Sequence, residues 1–520
     1  MPEPNVNRRT FLKTTAAGAT ALSLTAASAN RVLGANERLR IAFLGVGGRC
    51  QQHIDTVLQM IKEGKPVEAV AVCDVWDGDA KLGRGQGRGL HPSAKRCGIK
   101  EDKDHVTKDY RRILDLKDVD TVSIATPDHW HARMAIDAMK AGKHVYCEKP
   151  MTRTIAEAQA VVNAAQAEKK VMTVGVQSMA DPTWLEAHKY ITQGKIGKVL
   201  QGQTSYYRNY IGGQWRYYPL KKEMTPKTID WDTWLGYKFD VDGVKLGPPP
   251  EKMPFDREVW AQWRCYWPFG GGMFTDLFVH QTTHLISAMG VRYPGRVVGG
   301  GGIYLEYDDR DVPDVATVVA DYNEGCQVLI AATMCNDTQL GEIIRGRLAT
   351  IKFKGGGDYI DGFDVYAQDI AGGPAKPKQG FGTPVHTYDN PKKKDNGGHD
   401  ATYALYENFL ECVRAGNRET LSTPELGAAA FSTVNMGVLS YRHGRVMFWD
   451  AEQRKTRDTD PGWARQWEKR SKERGKPSHV LGWEGGDKGS TLKAPDYQKL
   501  AGPWVNGKDP ADNAAAAGGE

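Results

Sequence analysis

Cysteine is sparse in this chain of 520 residues: the 8 cysteines lie far apart and form no Cys-x-x-Cys pair. Such spacing excludes a disulfide-stapled scaffold and predicts buried thiols, and we predict no metal site. An excess of positive charge is missing too, because 69 Lys and Arg are set against 63 Asp and Glu and the net charge of +6 is spread along the chain. A nucleic-acid partner is therefore not expected.

A long apolar run of the kind that crosses a membrane is also missing near the N-terminus. Residues 14–29 are rich in Ala and Thr and only weakly apolar, and they fall short of the about 20 strongly apolar residues that a span requires. They follow the pair Arg8-Arg9 and end in the small-x-small sequence Ala27-Ser28-Ala29. Residues 1–29 therefore resemble a twin-arginine export signal, with an ordinary basic tail as the alternative. We expect a protein that uses the twin-arginine export machinery, is periplasmic or otherwise exported, and has no stable membrane insertion.

The rest of the composition is that of a folded protein. Hydrophobic residues make up 40% of the chain and charged residues 25%, which is ordinary for globular domains. A chain of this length accommodates two to four domains.

Strand and helix patterns alternate in the first third of the chain. Residues 38–44 form a nearly continuous apolar run, as in a buried parallel strand, and a glycine-rich turn and a helical pattern follow. Thr154 and Glu157 have capping-box spacing and open a later helix. The alternation predicts an α/β Rossmann domain with a doubly wound parallel sheet over residues 37–178.

Beyond residue 178 the pattern changes to short stretches of alternating polarity, which are typical of a half-solvated antiparallel sheet. We predict an α+β domain with an open, mostly antiparallel sheet over residues 179–450 and an irregular C-terminal extension over 451–520. Two Gly- and Lys-rich stretches, residues 76–105 and 355–398, are expected to be surface loops.

The turn after the first strand suits a dinucleotide. Gly45 and Gly47 would let the backbone approach a pyrophosphate at a helix N-terminus. Cys50 stands where the third glycine of the usual fingerprint would be, so a purely structural turn is the alternative. Asp74 ends the second strand, where its carboxylate can bind an adenosine ribose and repel a 2′-phosphate. NAD is therefore predicted, with NADP less favoured.

Four motifs stand in order along the chain: Gly45–Arg49, Ala125–His131, Cys147–Pro150 and Gly270–His280. Together they resemble the Gfo/Idh/MocA oxidoreductase family over about residues 37–450. The resemblance implies a Rossmann domain that binds NAD(P), followed by a domain whose open sheet supports substrate binding and assembly into a homo-oligomer, a dimer or a tetramer. The predicted cofactor-binding residues are Gly45, Val46, Gly47, Gly48, Arg49, Asp74, Thr126, Pro127, His131, Glu148, Lys149 and Gln177.

Lys149, Asp276 and His280 are the candidate catalytic residues. Oxidation of an alcohol needs a base for the hydroxyl proton, and an imidazole such as His280 is suited to it. Asp276 lies four residues earlier, on the same face of a helix, and Lys149, which matches the family's lysine, would stabilise the alkoxide. Phe278 replaces a glycine that many relatives carry, and His284 follows one turn later, so either histidine could be the base. A surface hydrogen bond between Asp276 and His280 is the alternative.

Aromatic and arginine residues alternate before these motifs, and flat aromatic faces pack on sugar rings. Arg208, Trp263 and His284 are the predicted substrate-binding residues, and a sugar or polyol is the predicted substrate. Core or interface packing is the alternative for these tryptophans and tyrosines.

Three functions remain open. The first is an exported NAD-dependent oxidoreductase that holds its nucleotide tightly, because free NAD is scarce outside the cytoplasm, and acts on a sugar, polyol or glycoside. The second is an NAD-dependent glycosidase that works by oxidation, elimination, hydration and reduction. The third is a non-catalytic carbohydrate-binding scaffold.

Overall fold

The computed structural model of the protein describes residues 38–83, 85–237, 250–370 and 380–473. The predicted export signal, residues 1–29, lies outside the described residues, as does the end of the chain beyond residue 473. No helix within the described ranges is both long enough and apolar enough to cross a membrane.

The first sheet has six parallel strands in the order β3-β2-β1-β4-β5-β6. Its strands are β1 (Leu39–Leu44), β2 (Val67–Cys73), β3 (Val106–Thr107), β4 (Thr121–Ile124), β5 (His144–Glu148) and β6 (Met172–Gly175). Its connecting helices are α1 (Cys50–Lys62), α2 (Leu90–Cys97), α3 (Tyr110–Asp115), α4 (Asp128–Lys140) and α5 (Ile155–Ala167). The predicted doubly wound Rossmann fold is confirmed. Its strand order reverses between β1 and β4, and crevices for ligands form at such points, beyond the carboxyl ends of the strands.

Local sequence explains these elements. Four consecutive residues of β1, from Ile41 to Leu44, are at most 1% exposed, as expected for a strand covered on both faces. The predicted capping box opens α5: the Thr154 hydroxyl accepts from the Glu157 amide at 3.2 Å, and the Glu157 carboxylate accepts from the Thr154 amide at 2.8 Å.

The second sheet has ten strands in the order β16-β15-β14-β13-β7-β11-β10-β9-β17-β18. Every neighbouring pair is antiparallel except β7 and β11, so the predicted mostly antiparallel sheet is confirmed. Its strands are β7 (Val199–Ser205), β9 (Arg296–Gly302), β10 (Val315–Tyr322), β11 (Cys326–Thr333), β13 (Ile343–Gly346), β14 (Ala349–Lys354), β15 (Gly362–Ala367), β16 (His386–Asp389), β17 (Met447–Asp450) and β18 (Lys455–Arg457). A separate pair joins β8 (Arg208–Asn209) to β12 (Cys335–Asn336).

The helices that follow the first domain pack on this sheet, on one another or on the first domain. They are α6 (Pro182–Thr192), α7 (Trp231–Leu235), α8 (Arg257–Ala261), α9 (Gly272–Asp276), α10 (Phe278–Met289), α11 (Pro391–Lys394), α12 (Ala401–Ala415), α13 (Pro424–His443) and α14 (Trp463–Glu473), with 3-10 turns at Gln177–Ala180 and Trp263–Cys265. Helix α13 crosses β9 so closely that a Cβ built on Gly299 would lie 2.2 Å from the Gly437 carbonyl oxygen. Gly299 of β9 therefore permits the close packing of α13.

Helix α12 returns to the first domain. Its apolar residues, among them Tyr406 and Phe409, share one buried cluster with Phe43 of β1, Val57 of α1 and Tyr146 of β5. A helix from within residues 179–450 thus covers a face of the Rossmann sheet.

Three stretches are more regular than predicted. The extension from residue 451, expected to be irregular, contains β18 and α14, because Trp463 is buried and packs over the backbone of Gly295. The expected loop 76–105 contains α2, and the expected loop 355–398 contains β15, β16 and α11. Glycine and lysine composition misled the prediction, since pairing with β14 and packing on β2 decide the structure there.

Candidate active site

The turn between β1 and α1 opens onto a crevice. Gly45 has a φ of +81°, and a Cβ built on it would lie 2.5 Å from Cγ2 of Thr126, so a larger residue would clash there. A Cβ built on Gly47, in contrast, would meet no atom within 4 Å. The turn therefore presents bare backbone to open space at the N-terminus of α1, where amide groups are available to a ligand.

Unpaired donors surround this turn. Within the described ranges, Arg49 Nη2, Arg88 Nε and Thr126 Oγ1 are buried and have no hydrogen-bond partner. The Arg88 guanidinium lies beside the turn, since a Cβ built on Gly48 would be 3.2 Å from Arg88 Nη1. Buried donors without acceptors, two of them on cationic groups, fit the pyrophosphate of a dinucleotide.

Arg88 was not among the predicted cofactor residues. It lies in the stretch that was expected to be a surface loop, and its nearest sequence signal is the run of alternating glycines at 83–89. The fold brings this run back over the glycine turn, where the Gly89 amide donates to the Val46 carbonyl at 2.9 Å.

The crevice continues past Asp74 at the end of β2. The Asp74 carboxylate accepts from the Trp76 amide at 2.9 Å, and burial raises its pKa to about 7. Beyond Asp74 the crevice is walled by five tryptophans: Trp76, Trp130, Trp234, Trp260 and Trp263. Three of these belong to the second domain, which therefore roofs this end of the crevice.

At the other end, Lys149 and Asp276 join the two domains. Lys149 follows β5, and its Nζ donates to Asp276 Oδ1 at 2.7 Å and to the Asp276 carbonyl at 3.0 Å. The Lys149–Pro150 peptide bond is cis, an isomer that the sequence left open. Two of the three predicted catalytic residues are thus in contact, although 127 positions separate them.

Two further side chains bind Asp276. Arg264 Nε lies 3.2 Å from Oδ1, and Trp215 Nε1 donates to Oδ2 at 3.1 Å. Burial alone would raise the pKa of Asp276, but the charges of Lys149 and Arg264 hold it well below the usual range. Asp276 is therefore ionised at neutral pH. Arg264 and Trp215 belong to the aromatic and arginine residues that the sequence places before the motifs, but their contact with Asp276 was not predicted.

His280 lines the same cavity as Lys149 and Asp276, which we call the catalytic cavity. The expected single helix is divided at Leu277, where α9 ends and α10 begins, so His280 lies in the first turn of α10. Burial and the nearby Lys149 charge lower its pKa well below the usual value. The ring is therefore neutral near pH 7 and free to accept a proton. His280 also lines a second cavity, beside Gln177.

His284 lies elsewhere. Its ring stacks on Trp184 with centroids 3.8 Å apart, and its nitrogens lie 2.9 Å from Ser178 Oγ and 2.8 Å from Glu342 Oε1. It is 3% exposed and does not line the cavity of Lys149. The geometry therefore favours His280 as the base and gives His284 a packing role, although His284 was predicted to bind substrate.

Glu148 and His131 hold the site from inside the first domain. Glu148 Oε1 lies 2.7 Å from Arg49 Nε and 2.9 Å from His53 Nε2. The His131 nitrogens lie 2.7 Å from the Pro150 carbonyl and 2.9 Å from the Thr126 carbonyl. These side chains tie together the loops that carry Thr126 and Lys149.

The remaining predicted residues divide between core, crevice and catalytic cavity. Val46 is fully buried, and Pro127 and Trp263 line the nucleotide crevice. Arg208 lines the catalytic cavity, and its guanidinium stacks 4.8 Å above the Tyr206 ring. In the part of the chain that the structure describes, no three His, Cys, Asp or Glu side chains are grouped as a metal ion would require.

Residues 39–176 match the profile of GFO_IDH_MocA, described as an oxidoreductase family with an NAD-binding Rossmann fold. The first domain is thus similar to the Gfo/Idh/MocA family over nearly its whole length. The four motifs that suggested this family all contribute to the crevice or to the catalytic cavity.

Curated relatives carry names of two kinds. An alpha-N-acetylgalactosaminidase of Shewanella oneidensis is 29% identical over 280 residues, which cover 49% of this chain and 56% of the relative. A levoglucosan dehydrogenase of Pseudarthrobacter phenanthrenivorans is 38% identical over 118 residues, which cover 23% of this chain and 29% of the relative. The chain thus spans little more than half the length of the first relative and less of the second.

Solved structures share the two-domain Gfo/Idh/MocA fold. The WlbA dehydrogenase of Bordetella pertussis, solved with NADH and UDP-GlcNAcA, superposes with a TM-score of 0.54 at 19% identity, over 79% of this chain and 99% of that one. At this identity the likeness concerns the fold alone.

Proposed function

We propose that the protein is an NAD-dependent oxidoreductase that transfers hydride between a tightly bound nicotinamide dinucleotide and a CH–OH group of a sugar, polyol or glycoside. One observation carries the proposal: the Lys149–Asp276 contact, with His280 beside it, stands at the end of a crevice that begins at the glycine turn. The similarity of the first domain to the Gfo/Idh/MocA family supports it.

His280, Lys149 and Asp276 each have a separate role in the proposed reaction. When bound, the nicotinamide ring would accept hydride from the substrate carbon and give it back. Neutral His280 takes the hydroxyl proton, and Lys149 stabilises the negative oxygen that forms. Asp276, ionised and held by Arg264 and Trp215, fixes the position of Lys149.

NAD is the proposed cofactor, with NADP disfavoured. The Asp74 carboxyl stands at the end of β2, where it can bind a ribose hydroxyl and would repel a phosphate once ionised. The tryptophan-lined roof from the second domain supports slow release of the nucleotide, because the two domains would have to separate to free it.

The proposal includes export of a loaded protein. Arg8-Arg9 and the small-residue end of residues 1–29 support passage through the twin-arginine machinery to the periplasm or beyond. We further propose that the protein is a homo-oligomer, for which the open face of the ten-stranded sheet is available.

Hydrolysis is the second candidate. An NAD-dependent glycosidase would oxidise a ring carbon, eliminate the aglycone, add water and reduce the carbon again. The similarity to a protein named alpha-N-acetylgalactosaminidase favours this version. It uses the same nucleotide crevice and the same base.

Two measurements test the proposal. Denaturation of the purified protein is expected to release NAD, identified by mass spectrometry. Incubation with a panel of phenyl and 4-nitrophenyl α-glycosides of N-acetylgalactosamine, galactose and glucose separates the versions: aglycone release without a second sugar indicates hydrolysis, while a paired ketose and lactone indicates oxidoreduction. If the purified protein contains no nucleotide and cannot be loaded with NAD, both NAD-dependent functions are excluded and the non-catalytic carbohydrate-binding scaffold remains.

A further inference from the structure

A third carboxyl, besides those of Asp276 and Glu148, faces the catalytic cavity and has no part in the chemistry described so far. Asp128 is the first residue of α4, directly after the loop of Thr126 and Pro127. Its side chain is 2% exposed and lines the same cavity as Lys149 and His280. A carboxylate at a helix N-terminus is often only a partner of the helix dipole, and that explanation would leave it in solvent.

The surroundings of Asp128 differ from those of Asp276. Asp276 is bonded to a lysine, an arginine and an indole, whereas none of the described residues donates a hydrogen bond to the Asp128 carboxyl. A Cβ built on Gly270 would lie 3.3 Å from Asp128 Oδ2 and 3.2 Å from the Trp263 ring. Bare backbone and an aromatic ring thus lie on this side of the carboxyl, and neither offers it a positive charge.

These surroundings decide the charge of Asp128. Burial raises the pKa of Asp128 well above the usual value. Of the charged groups that face it, Arg264 and Lys149 oppose this shift, while Asp276 and Glu157 reinforce it. The cavity therefore holds one carboxylic acid, Asp128, beside the carboxylates Asp276 and Glu148. Carboxyl groups whose pKa values shift in opposite directions mark the acid and base assignments of an active site.

We infer, on the basis of the function proposed above, that Asp128 is the acid of the site and protonates the oxygen of a departing aglycone. Simple oxidation of a sugar hydroxyl needs one proton acceptor and one stabiliser of the alkoxide, which His280 and Lys149 supply. A buried carboxylic acid in the same cavity has no task in that reaction. It has one when a glycosidic bond is broken.

The elimination step balances with the groups present. Oxidation of the hydroxyl two carbons from the glycosidic carbon gives a ketone: the hydride would pass to bound NAD, and the hydroxyl proton passes to His280 and from there to solvent, so that His280 is neutral again. His280 then removes the proton from the carbon between the ketone and the glycosidic carbon. The electron pair of that C–H bond forms a C=C bond, the glycosidic C–O bond breaks, and the leaving oxygen takes the proton of Asp128. Water then adds to the glycosidic carbon and returns a proton to Asp128, and His280 returns its proton to the neighbouring carbon. Hydride would return from the bound nicotinamide to the ketone carbon, and the alkoxide that results takes a proton from solvent through His280.

Leaving-group dependence tests Asp128. In the Asp128→Asn protein, hydrolysis of the phenyl glycosides of the panel is expected to fall about 10²- to 10⁴-fold, which is the usual contribution of a general acid. Hydrolysis of the 4-nitrophenyl glycosides, whose leaving group needs no proton, is expected to fall less than about 10-fold. The Asp128→Asn protein should contain as much NAD as the native protein. It should also exchange deuterium from D2O into the carbon beside the ketone at the native rate, as measured by NMR.

The matched control is Asp137→Asn. Asp137 belongs to the same helix but binds Tyr110 and does not line the catalytic cavity. The Asp137→Asn protein is expected to hydrolyse both the phenyl and the 4-nitrophenyl glycosides at the native rate. The native protein provides a measurement that does not depend on a variant: phenyl glycoside hydrolysis should decline at high pH as Asp128 ionises, while 4-nitrophenyl glycoside hydrolysis should not.

Several outcomes would overturn the inference. Equal losses on both glycoside classes, loss of NAD from the variant, or the same high-pH decline for both classes would each remove Asp128 from this role. Native protein whose bound NAD is reduced by the free sugars, but which releases no aglycone from any member of the panel, would also refute it and leave the oxidoreductase proposal intact. Native protein that binds no NAD would refute the oxidoreductase proposal itself.

Discussion

The two ends of the ligand cavity, the glycine turn after β1 and the site of Lys149 and Asp276, differ in whether buried nitrogen atoms of their cationic side chains lack a hydrogen-bond partner. At the glycine turn, the guanidiniums of Arg49 and Arg88 keep buried N–H groups without acceptors. At the catalytic end, the cations of Lys149 and Arg264 are both bound to Asp276. Guanidinium N–H groups that lack acceptors suit a ligand that brings its own negative charge, although Arg49 also pairs with Glu148 through its Nε. Cations that are held by a carboxylate suit a neutral ligand. The difference indicates an anionic cofactor at one end and a sugar at the other.

Substitution of Lys149 is expected to give the largest effect, because it should change turnover at the catalytic end without changing nucleotide binding at the glycine turn. We expect Lys149→Met to lower turnover about 10³-fold, since it removes the group that stabilises the alkoxide, and to leave the NAD content of the purified protein unchanged. Lys149→Arg, which keeps the charge, should lose less. Absorbance of the denatured supernatant measures the nucleotide. Unchanged turnover would remove Lys149 from the mechanism.

A pair of glycine variants tests the nucleotide end. Gly47→Ala should fold normally, because its Cβ would meet no protein atom, yet crowd the pyrophosphate and lower NAD content at least about 10-fold, or 1.4 kcal/mol of binding. Gly45→Ala should lower the melting temperature as well, because its φ of +81° and its contact with Thr126 add strain of about 1–3 kcal/mol. If Gly47→Ala keeps a full complement of NAD, the pyrophosphate does not lie at this turn.

The pH dependence of turnover reports on His280. Because its pKa lies well below the ordinary value of about 6.5, kcat/KM of the native protein should show no decline from this group between pH 8 and pH 6.5. Lys149 lowers this pKa, so the residual activity of Lys149→Met should show an acid decline that moves up toward pH 6.5. An acid decline centred at 6.5 in the native protein would contradict the assignment.

His284 should have the smallest effect on chemistry. We expect His284→Gln to keep turnover within about 3-fold while it loses about 1–3 kcal/mol of stability through the broken contacts with Ser178 and Glu342. The matched variant His280→Gln should lose at least about 10²-fold in turnover. Thermal melting and initial rates measure both. The reverse ranking would make His284 the base.

The sequence was most informative where function and local pattern coincide. Buried strands and glycine turns have short-range signals, so the Rossmann fold and the turn at Gly45 could be predicted. Lys149, Asp276 and His280 could be predicted because each lies in a motif.

Residues that act only through the fold escaped prediction. Arg88, Arg264 and Trp215 reach the cavity by tertiary packing, and the glycine run and the aromatic cluster in which they lie do not show which side chains they contact. Asp128 was visible inside a motif, but its protonation depends on the burial that Gly270 and Trp263 provide. The regular elements within residues 355–398 were missed because strand pairing outweighed composition.

The return of α12 to the first sheet has a consequence for synthesis of the chain. Since residues 401–415 cover an apolar face of the Rossmann domain, a nascent polypeptide leaves that face exposed until most of the message has been translated. We therefore expect the N-terminal domain to complete its folding only after residues 401–415 have been synthesised, and fragments that stop before residue 401 to aggregate and to be degraded quickly in the cell.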